Sequence, residues 1–325
     1  MLVGHERVWK FLTQSVKNNR LAHAYIFVGP PAIGKKTLAI EFFKWLFCIQ
    51  KNNRKDINQS CGECLNCQLI KKNQHPDIFI LKPRQEEKSG QIKTFEIKIE
   101  QIRELRHQLS LSPYSADHKI ALIEKADWLT NEAGGAFLKT LEEPSRKSLI
   151  ILTTSAPELL LATLTSRCQL IKFLPVPVAQ MLEGLKEVFP SEKRLVEIVS
   201  LAGGRPGQAI KWLSEPGLDE NRQKNLEIFQ RVIKADLSQR FEAAEKFSRD
   251  TGQAIETLEQ WLAWLRISFL KETEAGESMA KYNPKTKYSR QQAVSLIRDI
   301  QATQNILSNP SFNAKLALEN LMLKA

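Results

Sequence analysis

Nine residues after an apolar run carry the first chemistry of this chain, Gly29-Pro-Pro-Ala-Ile-Gly34-Lys35-Lys36-Thr37. The pattern Gly-x4-Gly-Lys-[Ser/Thr] suits phosphate. Glycines let backbone N–H groups wrap the oxygens, the lysine neutralises the outer phosphates, and the hydroxyl holds Mg²⁺. Gly29, Gly34 and Lys35 stand where that chemistry needs them. The hydroxyl position holds Lys36, and Thr37 comes one residue late. One step along a helix turns a side chain by about 100°, so Thr37 is not expected at the metal position.

A second group closes a later apolar run, Ile120-Ala-Leu-Ile-Glu124-Lys125-Ala-Asp127. A working phosphoryl-transfer site of this type ends the strand in Asp-Glu. The Asp supports the metal shell and the Glu polarises the attacking water. Glu124 keeps a carboxylate with a longer reach. Lys125 puts a cation where the base belongs, and a charged ammonium accepts no proton. The expectation is no hydrolysis of ATP at this chain's own loop, with nucleotide binding itself left open.

The third group is cysteine. Four of the five lie at Cys48, Cys61, Cys64 and Cys67. Four thiolates can close a tetrahedral Zn²⁺ site with no open position for chemistry. A structural zinc is expected, against an iron–sulfur cluster or buried free thiols. The polar stretch Gln50–Ser60 has few core residues, so a metal accounts for how it is ordered. Cys168 stands apart and is expected as a small buried residue. His75 is expected to be a satisfied loop histidine rather than a ligand.

These groups need a scaffold. Ala24–Val28, Asp77–Leu81, Lys119–Glu124, Leu149–Thr153 and Gln169–Phe173 are short apolar runs with the marks of five buried strands. Several are continuously apolar, as in a parallel sheet covered on both faces. Helical patterns such as Lys36–Cys48 and Glu100–Leu109 lie between them. Polar Gln85–Lys98 is expected to be a loop or hairpin. The spacing predicts a three-layered α/β domain over residues 1–174, with the cysteine insertion at 48–67 inside it. Pro175-Val176-Pro177 breaks the chain, and 175–215 has the pattern of a small helical unit. After Glu215-Pro216-Gly217 only helical periodicity remains, over 216–325. There Trp261, Trp264, Leu265 and Phe269 share one face, as bundle core or subunit interface.

The bulk numbers fit a soluble chain of two or three domains. There are 325 residues with a formal net charge of +11. The excess is uneven. Residues 1–174 carry 26 Lys+Arg against 17 Asp+Glu, and residues 175–325 carry 21 against 19. Any polyanion is therefore expected to meet the first half. No apolar segment follows Met1 and none approaches membrane-spanning length, so a cytoplasmic protein is expected.

Taken together, His23-Ala-Tyr-Ile-Phe-Val-Gly29-Pro, the four-cysteine insertion, Leu138-Lys-Thr-Leu-Glu-Glu-Pro144 and Ser166-Arg167-Cys168 resemble bacterial clamp-loader AAA+ subunits. Gly4-His5 and His75-Pro76-Asp77 fit as well. The resemblance is dense over 1–174, moderate to 213, and architectural beyond. It implies an AAA+ (RecA-like) core with a five-stranded parallel sheet, a helical lid, and an all-α C-terminal collar that joins subunits in a ring. Altered loop and strand end resemble the delta-prime type rather than the gamma/tau motor. The resemblance also implies that Arg167 is an arginine finger pointing into a neighbour's ATP site. It implies a polar sensor at Thr153 or Thr154. The second sensor, an arginine in the family, falls on Gly207, with Arg205 two residues earlier. Implied partners are gamma/tau motor subunits, the delta subunit, a sliding clamp and primed DNA, with no membrane. Two alternatives are an active ATPase in which Glu124 and Thr37 compensate, and a stand-alone zinc-dependent nucleic-acid binder.

Overall fold

Alternating apolar runs become strands here because helices cover both their faces. The computed structural model describes residues 2–50, 59–88, 92–144, 147–214, 218–270, 289–307 and 312–324. It contains β1 (Ala24–Val28), β2 (Ile78–Leu81), β5 (Lys119–Ile123), β6 (Ser148–Thr154) and β7 (Gln169–Lys172), together with the hairpin strands β3 (Arg84–Lys88) and β4 (Ile92–Glu96). The first five form one all-parallel sheet in the order β2-β5-β6-β1-β7. This is the expected sheet, with each strand within a residue of its predicted bounds. The polar stretch Gln85–Lys98 holds most of an antiparallel hairpin.

Side chains alternate across the sheet with a period of two. Tyr25, Phe27, Ile120, Leu122, Leu149 and Ile151 face one layer. There they meet Leu12 of α1 (Glu6–Lys17) and Leu38, Phe42 and Trp45 of α2 (Lys35–Phe47). Ala24, Ile26, Ala121, Ile123, Ile150 and Leu152 face the other. They pack with Ile102 and Leu105 of α4 (Ile99–Ser110) and Phe137 of α5 (Asn131–Glu142). Each central strand is therefore apolar at nearly every position. The short α3 (Leu65–Lys71) packs beside α2.

The chain divides into two compact units, 1–184 with 204–207, and 185–203 with 208–325. The first includes most of α7 (Val178–Lys186) and the short α6 (Ala162–Thr165). Among its described residues the regular elements of the second are all helices: α8 (Leu195–Leu201), most of α9 (Pro206–Ser214), α10 (Leu218–Lys234), α11 (Leu237–Ser248), α12 (Thr251–Leu270), α13 (Arg290–Leu307) and α14 (Ala314–Lys324). Trp261, Trp264 and Leu265 are buried in its core, where Phe229 and Phe247 pack against the Trp261 ring. The side chain of Phe269, the break at Glu215–Gly217 and residues 51–58 of the cysteine insertion lie outside the described residues. Among the described residues no helix is long and apolar enough to cross a membrane.

Candidate functional site

The sheet register gathers the phosphate-loop residues at one edge. Val28 lies beside Thr154, and Ile123 beside Leu152, so Gly29, Glu124 and Thr154 all leave the carboxyl edge of the sheet. Open parallel sheets bind their ligands at this edge. Gly34 turns the loop into α2 with φ 108°, a left-handed conformation that glycine adopts without strain.

The loop is closed on itself. Lys35 Nζ donates to the carbonyls of Gly29 and Pro30, 2.9 Å for the latter. Burial lowers the Lys35 pKa to about 8, against the opposing pull of Asp127. His5 Nε2 lies 2.7 Å from the Ile33 carbonyl oxygen. The Gly207 N–H donates to the Ala32 carbonyl at 2.9 Å. A Cβ at Gly207 would stand 2.7 Å from that oxygen, so this position has no room for a side chain without a shift. Arg205 is buried nearby in sequence, with contacts of its own.

Lys36 Nζ lies 2.9 Å from Glu124 Oε1, an ion pair that lacks hydrogen-bond geometry. Lys82 Nζ lies 4.0 Å from the same oxygen. Thr37 is exposed. Lys125 adopts a left-handed backbone (φ 53°) and lays its ammonium over the Trp128 ring, 4.7 Å from the centroid. Its N–H donates to Thr153 Oγ1. Thr154 Oγ1 donates to Asp127 Oδ1 at 2.6 Å, and Ser155 N–H reaches the same oxygen. Asp127 and Lys82 escaped the sequence reading as site residues. Asp127 follows Lys125 by two positions on a short helical turn, and that spacing was its only signal.

Arg167 lies elsewhere. It precedes β7, whose first residue Gln169 pairs with Tyr25 at the amino end of the sheet. Its guanidinium donates to the Thr163 carbonyl at 2.8 Å and meets Glu142 Oε1 at 2.6 Å. Glu142 ends α5, on the same side. The arginine is thus held at the amino edge, on the surface, away from its own phosphate loop.

The four cysteines converge as expected. The sulfurs of Cys48, Cys61, Cys64 and Cys67 all lie within 4.8 Å of one another. Cys61 and Cys67 sulfurs are 3.8 Å apart. A tetrahedron with metal–sulfur bonds of about 2.3 Å has edges of about 3.8 Å, so the arrangement fits zinc. Among the described residues three N–H groups point at sulfur. Cys61 donates to Cys48, and Glu63 and Cys64 donate to Cys61, the last at 2.9 Å. Such donors favour the thiolate, the form that binds metal. Cys168 is half-buried against the α4/α5 layer, and burial pushes its thiol up to about 12. His75 corrects an expectation. Its Nδ1 accepts from the Asp77 N–H, but among the described residues its buried Nε2 has no partner, so it is only half satisfied there. It lies outside the sulfur cluster.

Sheet order and loop position together define an α/β domain of the phosphate-loop class. Sequence comparison narrows this further. The family described as DNA polymerase III, delta subunit, matches residues 4–177. DNA polymerase III subunit delta' of Pseudomonas aeruginosa is 30% identical over 93% of this chain and 91% of its own length. The delta' subunit of Bacillus subtilis is 30% identical over 69% of this chain, which spans 64% of that relative. A tau/gamma subunit of DNA polymerase III from Haemophilus influenzae is 31% identical over 66% of this chain and 29% of its own length. The chain belongs to the delta-prime family of DNA polymerase III subunits.

Proposed function

We propose that this chain is a non-hydrolysing clamp-loader subunit that lends Arg167 to the ATP site of a neighbouring motor subunit. In this role it helps load a sliding clamp onto primed DNA, alongside gamma/tau and delta partners. Its own loop is degenerate: Lys36 occupies the hydroxyl position and Lys125 the base position. Its four cysteines hold a structural zinc, which would order the insertion and supply no reaction step.

The observation that carries the proposal is the placement of Arg167. It sits at the amino edge of the sheet, while its own phosphate loop sits at the carboxyl edge. A guanidinium there can stabilise γ-phosphate charge only on a nucleotide held by another chain. It is always charged and its planar fork matches phosphate oxygens. The test is Arg167→Ala in the reconstituted loader. Assembly is expected to persist while DNA-stimulated ATP turnover collapses. Unchanged turnover refutes the proposal.

A further inference from the structure

We infer that the Lys36 ammonium takes the place of the divalent cation at this phosphate loop, making Glu124 the counter-ion of a side chain instead of support for a metal. The inference deepens the reading of the loop as non-hydrolysing. It is tested on the isolated chain, so the role of Arg167 stands or falls separately.

Lys36 lies in the first turn of α2, two residues after Gly34, where a metal-binding hydroxyl is expected. Its Nζ is 2.9 Å from Glu124 Oε1. The carboxylate is the more buried member, 18% exposed against 41% for the lysine. A carboxylate that far out of water needs a fixed cation. Lys36 supplies it covalently, and Lys82 adds a second positive charge at 4.0 Å. The other nearby carboxylate, Asp127, is engaged by Thr154 and the Ser155 N–H. Magnesium asks for near-octahedral oxygen ligands at about 2.0–2.1 Å. Here it would meet one carboxylate already neutralised, one already hydrogen-bonded, and two ammonium groups repelling it. The residues present do not fit the metal. The misfit is charge as well as geometry, so it should be reversible at one position. A hydroxyl at 36 would leave Glu124 without its built-in partner and open to a cation.

The experiment is Mn²⁺ binding to the isolated full chain, followed by electron paramagnetic resonance with and without ADP. Mn²⁺ stands in for magnesium and ADP supplies phosphate oxygens. The wild-type chain is expected to take up no Mn²⁺ that depends on ADP. Lys36→Thr and Lys36→Ser, with folding checked by circular dichroism, are expected to bind Mn²⁺ with ADP at least about tenfold more tightly than wild type. Adding Glu124→Gln to Lys36→Thr is expected to abolish the gain. The inference is overturned if wild type binds Mn²⁺ with ADP as tightly as the variants. It is equally overturned if either folded variant gains nothing, or if the gain survives Glu124→Gln.

Discussion

Replacing Glu142 with Gln removes the carboxylate that holds Arg167 and leaves the arginine in place. The pair is short, 2.6 Å, but both members face water: the side chains are 35% and 48% exposed. Surface ion pairs of this kind contribute about 0.2–1 kcal/mol. Arg167 also keeps its bond to the Thr163 carbonyl. If the guanidinium must leave Glu142 to reach a neighbour's triphosphate, the release costs at most about 1 kcal/mol, or about fivefold in rate. An arginine finger is worth about 10³- to 10⁵-fold. The two effects are therefore separable by size. In the reconstituted loader at low salt, Glu142→Gln is expected to raise DNA-stimulated ATP turnover by no more than about fivefold. Arg167→Ala is expected to lower it by about a thousandfold or more. Added salt should shrink the effect of Glu142→Gln, because it screens exposed charge. A loss from Glu142→Gln as deep as that from Arg167→Ala would refute the reasoning, since so weak a pair cannot carry it.

Other outcomes follow from single groups. Metal analysis of the purified chain is expected to give one zinc, lost on Cys64→Ser, with a lower melting temperature for the variant; equal zinc content in both would exclude the four-sulfur site. Asp77 is fully buried, accepts N–H bonds from Tyr114, Ser115 and Ala116, and lies 3.6 Å from buried Lys119. Asp77→Ala strands that lysine and is expected to cost about 3–5 kcal/mol in urea denaturation, with a surface-like value below 1 kcal/mol counting against the role. Burial raises the Asp77 pKa, but the backbone donors and Lys119 outweigh it and the net shift is down. The stability it adds is therefore present above the ordinary carboxylate pKa of about 3.9 and drains away as pH falls below it. Lys35 has the opposite linkage: its folded pKa of about 8 lies below the unfolded value of about 10.4, so between them the unfolded chain holds more protons and stability rises with pH. Lys35→Met is expected to flatten that slope in denaturation curves taken across the window, and an unchanged slope would show that Lys35 does not titrate there.

Much of this was legible in the sequence because the forces involved are local or periodic. A strand covered on both faces must be apolar throughout, so β5 and β6 announce themselves from composition alone. The cysteine spacing and the misplaced Thr37 are likewise matters of counting along the chain. What escaped depends on register between strands distant in sequence. Thr154 meets Asp127 because β6 lies beside β5, and nothing local to either residue says so. Lys35 turning back onto its own loop carbonyls was also hidden, since the same residues would serve an open loop equally well. The half-satisfied His75 shows the same limit: its Nδ1 partner is two residues away and legible, while the burial of Nε2 without a described partner is tertiary.

The closed loop and the displaced arginine bear on one another through the geometry of a parallel sheet. Gln169 is level with Tyr25, and Lys172 with Val28, so the start of β7 lies three residues below the end of β1, from which the phosphate loop leaves. At about 3.3 Å per residue that is about 10 Å along the strand, and Arg167 lies two residues further back. Every parallel strand in the sheet points the same way, so no reshuffling of side chains carries position 167 to its own Gly34. A nucleotide bound here could not use it. Meanwhile the groups that would hold such a nucleotide have found partners within the chain: Lys35 with loop carbonyls, Lys36 with Glu124, Thr154 with Asp127. Internal pairing of this kind lets the loop keep its shape without a ligand. On the proposed reading, a loop held in this way leaves Arg167, at the opposite edge of the sheet, to serve a triphosphate bound by a neighbouring chain.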